Sequence, residues 1–172
     1  MGIHAGLRIP SEALQLRWPD IDLRSRPGYP NGALTVQAAY AKNGTSRTVP
    51  LNSVLRAELA TLKEVATGEL VFVGRCGMPL RSIRNALETA CAKAGLEDVT
   101  PHTLRHTFAS RLAMAGVDLR TIQELGGWKT LALVQRYSHL SPSHKAEALE
   151  KIAKNSPTLF QQPAVAAQSG KP

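Results

Sequence analysis

Apolar residues recur every three or four positions along most of this chain, a spacing that places them on one face of an α-helix. Ser, Thr, Asn or Asp precedes several of these stretches and Gly follows several of them, as is typical of helix N-caps and C-caps. The helices that this pattern predicts span residues 11–18, 52–66, 80–94, 100–115, 118–125, 130–137 and 141–154.

Two stretches outside this pattern, residues 34–40 and 47–51, are predicted to be β-strands. The connection between them contains Asn43-Gly44, and Asn-Gly favours a tight hairpin because both residues readily adopt positive φ. Residues 70–73 are predicted to be a short strand or an extended segment. The predicted fold class is therefore mainly α with a small antiparallel β-sheet or hairpin, an α+β arrangement.

The chain has 172 residues, of which 43% are hydrophobic, and this suits one domain with a substantial core. We expect residues 1–154 to form this domain. Residues 155–172 are rich in Pro, Gln, Ala and Ser and are expected to be a flexible tail. Because the helical pattern begins almost at the first residue, we also expect the chain to be the C-terminal part of a longer protein.

The formal net charge of +8 favours a polyanionic partner, most commonly nucleic acid. On charge alone, a basic surface without a partner is an equal alternative. No apolar run is long enough to span a bilayer and the N-terminus lacks a signal-peptide pattern, so no membrane partner is expected. Cys76 and Cys91 lack the spacing of metal ligands, which fits a reducing cytoplasm.

His102 and Arg105 stand three positions apart in a predicted helix and therefore share a face. An Arg fork can hold two oxygens of a phosphate while a neighbouring His donates or accepts a proton, although such a pair alone is more often an ordinary basic surface. His102 and His106 have the spacing of a zinc pair. The Glu of the His-Glu-x-x-His motif and a third ligand are missing, so no metal site is predicted.

Two further basic residues could contact a phosphate. Arg8 precedes the first predicted helix, and Glu12 lies close enough in sequence to orient it, although the two could equally form a helix-capping salt bridge. Lys42 is placed at the tip of the predicted hairpin. From there it could reach over a phosphate or serve only as a soluble turn residue.

Trp128 follows a Gly-Gly pair, and Tyr137 stands nine residues later. A Tyr hydroxyl is a weak nucleophile at neutral pH, but it becomes useful where cations lower its pKa and stabilise the charge of the group that it attacks. The alternative for each aromatic residue is packing in the core. The sequence thus offers a nucleophile together with the cations that such a reaction requires.

Together, five stretches in this order resemble the catalytic domain of the tyrosine recombinase family, also called phage-type integrases. They are GLR-x-x-SEALQLRW, the hairpin Lys followed by SRTVPL, HTLRH, LGGW and RYSHLS, and the resemblance extends from about Gly6 to His144. It implies the fold of that catalytic domain and site-specific DNA recombination, in which strands are cut and rejoined through a covalent 3′-phosphotyrosine. It also implies that no cofactor and no metal is needed, because the covalent link conserves the energy of the broken bond.

The resemblance also implies roles for individual residues. The catalytic residues that it indicates are Arg8, Lys42, His102, Arg105, Trp128 and Tyr137. In this scheme the two arginines hold the phosphate, Lys42 protonates the leaving 5′ oxygen, and Tyr137 is the nucleophile. Glu12 would support the geometry of Arg8.

Two features depart from the family pattern. Many members have Glu three residues after the first clamp arginine, whereas Pro10 places Glu12 four residues after Arg8 here. Trp128 occupies a position that is His in many members and Trp in some. An indole N–H can donate a hydrogen bond but cannot take up and release a proton as imidazole does, so we expect Trp128 to act by hydrogen bonding and packing.

Double-stranded DNA is the partner that the resemblance implies, together with further recombinase protomers that exchange C-terminal helices in a tetrameric synapse. The family's N-terminal DNA-binding domain has no counterpart in this sequence, so we expect weak DNA binding that is dominated by phosphate contacts and depends steeply on salt. Two alternatives stay open. One is DNA relaxation of the type IB topoisomerase kind, and the other is a DNA-binding domain or remnant without catalytic activity.

Overall fold

The computed structural model describes residues 1–74 and 77–141, together with residue 149. The helices in this part are α1 (Gly2–Ala5), α2 (Ser53–Glu64), α3 (Arg84–Lys93), α4 (Pro101–Met114), α5 (Leu119–Gly126) and α6 (Ala132–Gln135). The short strands β1 (Ile21–Asp22), β2 (Ala33–Val36) and β3 (Arg47–Pro50) form one antiparallel sheet in the order β1-β2-β3. This mainly helical fold with a small antiparallel sheet confirms the predicted fold class.

The chain divides into two compact units, Met1–Pro142 and Ser143–Pro172. The site described below lies in the first unit. The predicted helix 141–154 lies almost wholly, and the predicted tail 155–172 wholly, outside the described residues. Among the helices that the structure describes, none is long and apolar enough to cross a bilayer.

Side-chain caps begin three helices where the sequence predicts them. Asn52 begins α2, and its Oδ1 accepts a hydrogen bond from the Leu55 N–H at 2.8 Å. Asp118 begins α5 in the same way, through the Thr121 N–H at 2.9 Å, and Thr100 begins α4. Such caps satisfy backbone donors that a helix leaves unpaired at its N-terminus, and they act over only a few residues. The three predicted starts are therefore confirmed.

The predicted pairing of two strands is confirmed, but both strands are shorter than predicted. The ladder of β2 and β3 ends where Val36 pairs with Arg47. Residues 37–46 connect the two strands as a folded loop rather than as a tight Asn-Gly turn. The first turn of this loop begins directly after β2, where the Tyr40 N–H donates to the Gln37 carbonyl at 3.0 Å. The additional strand β1 pairs with the other edge of β2. A strand of two residues is too short to show an alternating sequence pattern.

The predicted helix 11–18 is wrong. The chain forms instead two single 3₁₀ turns, Ala13–Gln15 and Trp18–Asp20. Between these turns the backbone is extended, and the Leu16 carbonyl accepts a hydrogen bond from the Val71 N–H at 3.0 Å. In a helix over residues 11–18 the Trp18 N–H would donate to the Leu14 carbonyl, but it donates to the Glu69 carbonyl at 2.8 Å, so pairing with a distant segment replaces the helical bond. The predicted strand or extended segment 70–73 forms only single bridges at its ends, Leu70 with Arg17 and Val73 with Pro79, and the chain bends between them.

Several helix boundaries also differ from the prediction. Only part of the predicted helix 130–137 is helical, and a 3₁₀ turn, Ser138–Leu140, follows it. Helix α3 begins at Arg84 rather than at residue 80.

Helix α1 was not predicted, because four residues are too few to show helical periodicity. Gly6 ends α1 with a φ of 62°, a left-handed conformation that favours glycine. Helix α1 packs against α4 and so places the segment after it beside that helix.

Two groups of buried apolar side chains hold these elements together. The larger group surrounds the sheet and includes Leu7 and Leu59, each at most 1% exposed. The smaller group lies among α4, α5 and α6 and includes Ile122 and Tyr137. Arg8 directly follows Leu7 of the larger group, and Tyr137 belongs to the smaller group. Residues of the candidate site are therefore held in place by both groups.

Candidate active site

A buried carboxylate organises the basic residues of the site. Glu12 is 1% exposed, and the turn around Pro10 brings it back onto Arg8. Its Oε2 accepts the Arg8 backbone N–H at 2.9 Å, and its Oε1 accepts Arg8 Nη1 at 2.7 Å. The four-residue spacing, which departs from the family pattern, therefore still pairs the two side chains.

Arg47, at the start of β3, binds the same carboxylate. Its Nη1 and Nη2 donate to Oε1 and Oε2 of Glu12 at 3.0 and 2.8 Å, and its Nε donates to the Leu125 carbonyl at 3.1 Å. This bidentate pairing connects the sheet with the end of α5. Arg47 was not predicted as a site residue, although it stands in the SRTVPL stretch directly after the loop that carries Lys42.

Glu12 stays ionised despite its burial. Burial alone would raise its pKa, but the hydrogen bonds and positive charges of Arg47 and Arg8 outweigh burial and hold the pKa below its ordinary value. Arg105 Nη1 lies 4.0 Å from Glu12 Oε2 and adds a third guanidinium. One negative charge thus faces three positive charges, which leaves the site positive overall.

Arg105 on α4 is 5% exposed. Its Nη1 donates to the Gly6 carbonyl, and its Cζ lies 4.0 Å from the centre of the Trp128 ring. Its Nη2 is buried and has no hydrogen-bond partner among the described residues. Burial, reinforced by the charge of Arg8, lowers the pKa of Arg105 to about 10, so the side chain remains a cation at neutral pH. A buried cationic donor of this kind is well suited to bind an anion.

An open pocket of about 280 Å³ adjoins this guanidinium. Its lining residues are Arg8, His102, Arg105, His106 and Trp128. Four of the six residues that the family resemblance indicates as catalytic therefore line one pocket. The lining side chains offer positive charge and N–H donors, which is what binding of a phosphate requires.

Lys42 lies exposed on the loop 37–46 and lines a second open pocket, of about 340 Å³. Arg8 lines both pockets, so the two are neighbours. Lys129 also lines the second pocket, and it was not predicted as a site residue. Its position directly after Trp128 is the sequence signal that could have identified it.

Trp128 packs between Arg105 and Tyr137. The centroids of the Trp128 and Tyr137 rings are 6.4 Å apart, and the rings meet edge to face at 62°. A Cβ on Gly126 would lie 1.8 Å from Cζ3 of Trp128, so only glycine allows the indole to lie there. Gln123 Nε2 supports the same turn by donating to the Trp128 carbonyl at 3.1 Å. The LGGW stretch therefore requires glycine at this position for steric reasons.

Replacing Gly126 with Ala is expected to lower the free energy of unfolding by about 1–3 kcal/mol, because the added methyl must displace the Trp128 ring. Urea unfolding followed by tryptophan fluorescence measures the loss. Gly68→Ala is the matched control, since a Cβ there meets no atom within 4 Å, and its change should stay below about 0.5 kcal/mol. Equal stability of the two variants would contradict the close packing of Trp128.

Tyr137 follows α6 and is 5% exposed. Its hydroxyl forms a hydrogen bond with Nδ1 of His106. Burial raises the pKa of Tyr137, while the positive charges of Arg136 and Arg105 oppose this rise, so the hydroxyl is protonated at neutral pH.

The predicted histidine, His102, lines the pocket, but His106 is the one that contacts the hydroxyl. His106 was not predicted as a site residue, although it shares a helix face with His102.

The six residues indicated by the resemblance thus lie in one region of the fold. Four line the first pocket, Lys42 lines its neighbour, and Tyr137 packs against Trp128. An anion held in the first pocket would meet several cations close to a tyrosine hydroxyl. This arrangement is suited to the attack of that hydroxyl on a phosphodiester.

The chain is similar in sequence to known integrases and recombinases. The chain is 46% identical over 164 residues to the integrase of Salmonella phage P22, an alignment that covers 87% of this chain and 40% of that protein. It is 36% identical over 152 residues to the tyrosine recombinase XerC of Xanthomonas campestris pv. campestris, which covers 85% of this chain and 44% of that protein. The chain therefore spans less than half the length of either curated relative.

The fold is similar to that of the XerH site-specific recombinase, solved as a post-cleavage complex with its palindromic difH substrate. The TM-score is 0.64 at 26% identity, and the superposition covers 90% of this chain and 43% of that one. The family model described as Phage integrase family matches residues 2–144. Because that match covers most of the chain and contains every side chain of the site described above, the protein belongs to the phage integrase family.

Proposed function

We propose that this chain cuts and rejoins DNA strands through a covalent 3′-phosphotyrosine, as the catalytic part of a site-specific recombinase. The observation that carries the proposal is the buried Nη2 of Arg105, which has no partner in the described part of the chain. Arg105 lines a cationic pocket in which this donor can bind a phosphate oxygen. Tyr137, packed against Trp128 of the same pocket, supplies the hydroxyl.

In the proposed reaction, Arg8 and Arg105 bind the non-bridging oxygens of the scissile phosphate. They neutralise the charge that grows on these oxygens in the transition state, which is commonly the largest contribution to such catalysis. The Oη of Tyr137 attacks phosphorus, and the bond between phosphorus and the 5′ oxygen breaks as the new bond forms. Lys42 gives a proton to the 5′ oxygen as it leaves.

His102 and the indole N–H of Trp128 donate further hydrogen bonds to the same phosphate. The phosphotyrosine conserves the energy of the phosphodiester, so a free 5′ hydroxyl can attack it and rejoin the strand. Rejoining to the 5′ end of a different strand completes the exchange. The reaction consumes no nucleotide, and the proposal includes no cofactor.

Double-stranded DNA is the proposed partner. The net charge of +8 and the cationic pocket support this proposal, as does the similarity to the site-specific recombinase XerH, which was solved with its palindromic difH substrate. We assign the catalytic domain to residues 1–154. In the assembled synapse, residues 141–154 would dock on a neighbouring protomer.

A pool of nicked duplexes with randomised sequence around the nick tests the proposal, because the short cleaved fragment diffuses away and traps the covalent complex. We expect a protein–DNA band on a denaturing gel and a new 5′ hydroxyl that polynucleotide kinase can label. Sequencing of the trapped DNA identifies the preferred site. A band without a new 5′ hydroxyl would contradict the 3′ linkage. Equal trapping of all sequences, with relaxation of supercoiled plasmid, would indicate a topoisomerase instead.

Replacing Arg105 with Lys is expected to slow formation of the covalent band about 10²- to 10³-fold, as loss of an oxyanion-binding donor does elsewhere. A lysine ammonium is a single point charge and cannot hold the Gly6 carbonyl and a phosphate oxygen in fixed directions. The rate is measured under single-turnover conditions. Arg84→Lys is the control, because Arg84 forms an exposed pair with Glu88. An equal loss in both variants would contradict a specific role for Arg105.

A further inference from the structure

His106 stands directly after Arg105 on α4 and lines the same pocket of about 280 Å³. Its ring centroid lies 6.0 Å from that of Tyr137, at an interplanar angle of 50°. Its Nδ1 is hydrogen-bonded to the Tyr137 hydroxyl. His102, one turn earlier, also lines the pocket, yet His106 is the residue in contact with the proposed nucleophile.

Attack by Tyr137 on phosphorus requires a group that takes up the hydroxyl proton. Arg8 and Arg105 are cations and have no acceptor atom, and the indole of Trp128 is only a donor. Lys42 gives its proton to the leaving oxygen and is charged until it does so. None of these four side chains can therefore accept the proton.

Glu12 is the carboxylate that faces Arg8 and Arg105, but its oxygens are already occupied. They accept four hydrogen bonds from Arg8 and Arg47, and the residue is 1% exposed. The same pairing lowers the pKa of Glu12, which makes it a poor base. Within the described residues, the imidazole of His106 is the acceptor that already contacts the hydroxyl.

The surroundings keep the His106 ring neutral at pH 7. Burial lowers its pKa below the ordinary value, and the positive charges of Arg136, His102 and Arg105 lower the pKa further. Arg8 is another cation in the lining of the same pocket. A neutral imidazole accepts a hydrogen bond at Nδ1 when its own proton is on Nε2.

Without DNA, proton transfer between the two side chains is unfavourable, since the pKa of Tyr137 is raised and that of His106 is lowered. Transfer becomes favourable as the bond from Oη to phosphorus forms, because an esterified phenol oxygen is no longer basic. A bound phosphate also brings negative charge next to the imidazole and so stabilises its protonated form. The hydroxyl is therefore deprotonated only when a phosphodiester occupies the pocket.

We propose that His106 is the proton acceptor of DNA cleavage, a role that rests on the function proposed above. As Oη of Tyr137 bonds to phosphorus, its O–H bond breaks and the proton moves to Nδ1, which makes His106 an imidazolium. The bond from phosphorus to the 5′ oxygen breaks, and that oxygen takes a proton from Lys42. In rejoining, the 5′ hydroxyl attacks phosphorus and gives its proton to Lys42, while the imidazolium returns a proton to Oη.

Two substitutions separate proton transfer from positioning of the hydroxyl. His106→Asn places an amide oxygen near the position of Nδ1, where it accepts a hydrogen bond but takes no proton, whereas His106→Ala removes both functions. We expect each variant to form the covalent band about 100-fold more slowly in single turnover and to bind the nicked duplex as the wild type does. A wild-type rate in His106→Asn would overturn the proposal, and so would faster cleavage by either variant.

A duplex with sulfur in place of the bridging 5′ oxygen distinguishes the two protons of the reaction. A thiolate leaves without being protonated, because thiols are far more acidic than alcohols. This substrate is expected to restore cleavage by Lys42→Ala but not by His106→Asn. Restored cleavage by His106→Asn would assign the residue to the leaving group and overturn its role as the base.

The pH dependence of cleavage is a third test of the role of His106. The wild-type rate should fall in acid as His106 becomes protonated, and the slower rate of His106→Asn should lack this acidic limb. An acidic limb in His106→Asn that matches that of the wild type would overturn the proposal. The other groups beside the ring are Arg136, Arg105, Arg8 and a second histidine, His102. His102→Asn is therefore the control, and it should keep the limb.

Nitrogen NMR of the imidazoles tests the contact without any cleavage. At pH 7 we expect the proton of His106 on Nε2 and a shifted Nδ1 signal in Tyr137→Phe. A proton on Nδ1 would overturn the inference. If the wild-type protein never forms a covalent band, both the proposed function and the role of His106 are contradicted. If His106→Asn forms the band at the full rate, only the role of His106 is contradicted.

Discussion

Tyr137→Phe is expected to abolish the covalent protein–DNA band while DNA affinity stays within about twofold. The substitution removes one oxygen atom and leaves the ring packed against Trp128. Binding depends on contacts between cations and phosphates, which the variant retains. In the proposed reaction cleavage depends on Oη, because no other atom of this side chain can attack phosphorus. The covalent band on a denaturing gel and a filter-binding titration measure the two effects separately.

Tyr29→Phe is the matched control for this experiment. Tyr29 lies in the loop between β1 and β2, where Arg26 stacks on its ring 4.8 Å from the centroid, and it belongs to neither pocket of the site. This variant should form the covalent band at the wild-type rate. A residual band in Tyr137→Phe, with the label on another peptide, would show that a different residue is the nucleophile.

Glu12→Gln is expected to lower the free energy of unfolding at pH 7 by about 3–5 kcal/mol, the usual effect of removing one partner of a buried ion pair. The amide is nearly isosteric with the carboxylate, so the loss reports charge rather than volume. Without the negative charge, Arg8, Arg47 and Arg105 repel one another in a buried place. Urea unfolding measures the change.

Glu88→Gln is the control for the loss of a carboxylate. Glu88 pairs with Arg84 on an exposed helix face, and such pairs contribute about 0–1 kcal/mol. A loss below about 1 kcal/mol in Glu12→Gln would contradict the central position of this carboxylate among the arginines.

The difference in stability between wild type and Glu12→Gln should also depend on pH. The pKa of Glu12 is lowered in the folded protein from an ordinary value of 4.5. The contribution of its charge is therefore complete above about pH 4.5 and is lost as the pH falls through the lower pKa of the folded state. Urea unfolding at several pH values should show a constant gap near neutrality that narrows in acid. A gap that stays constant into acid would contradict the lowered pKa.

Several elements were predictable because their causes are local. Asn52, Thr100 and Asp118 cap their helices through an N–H three residues away, so signal and consequence lie in one short stretch of sequence. The order and type of the basic and aromatic residues were also readable, because attack on a phosphodiester requires particular side chains. These features were enough to indicate the family and the fold class.

The first predicted helix failed because its cause is not local. Residues 11–18 have helical spacing, but the Trp18 N–H, which a helix would pair with the Leu14 carbonyl, donates to the Glu69 carbonyl instead. The loop 37–46 is similar: Asn43-Gly44 is a good turn sequence, and the chain around it forms additional turns. Local propensity is a weak influence where tertiary pairing offers an alternative.

By itself the sequence determined three helix starts and the fold class, and it indicated the family and its candidate side chains, since each depends on neighbouring residues or on the order of motifs. Only the tertiary structure decided that Arg47 binds Glu12, 35 positions earlier, and that His106 contacts the hydroxyl of Tyr137, 31 positions later. The physical reason is that a buried ion pair or hydrogen bond depends on which distant segments pack together and exclude water.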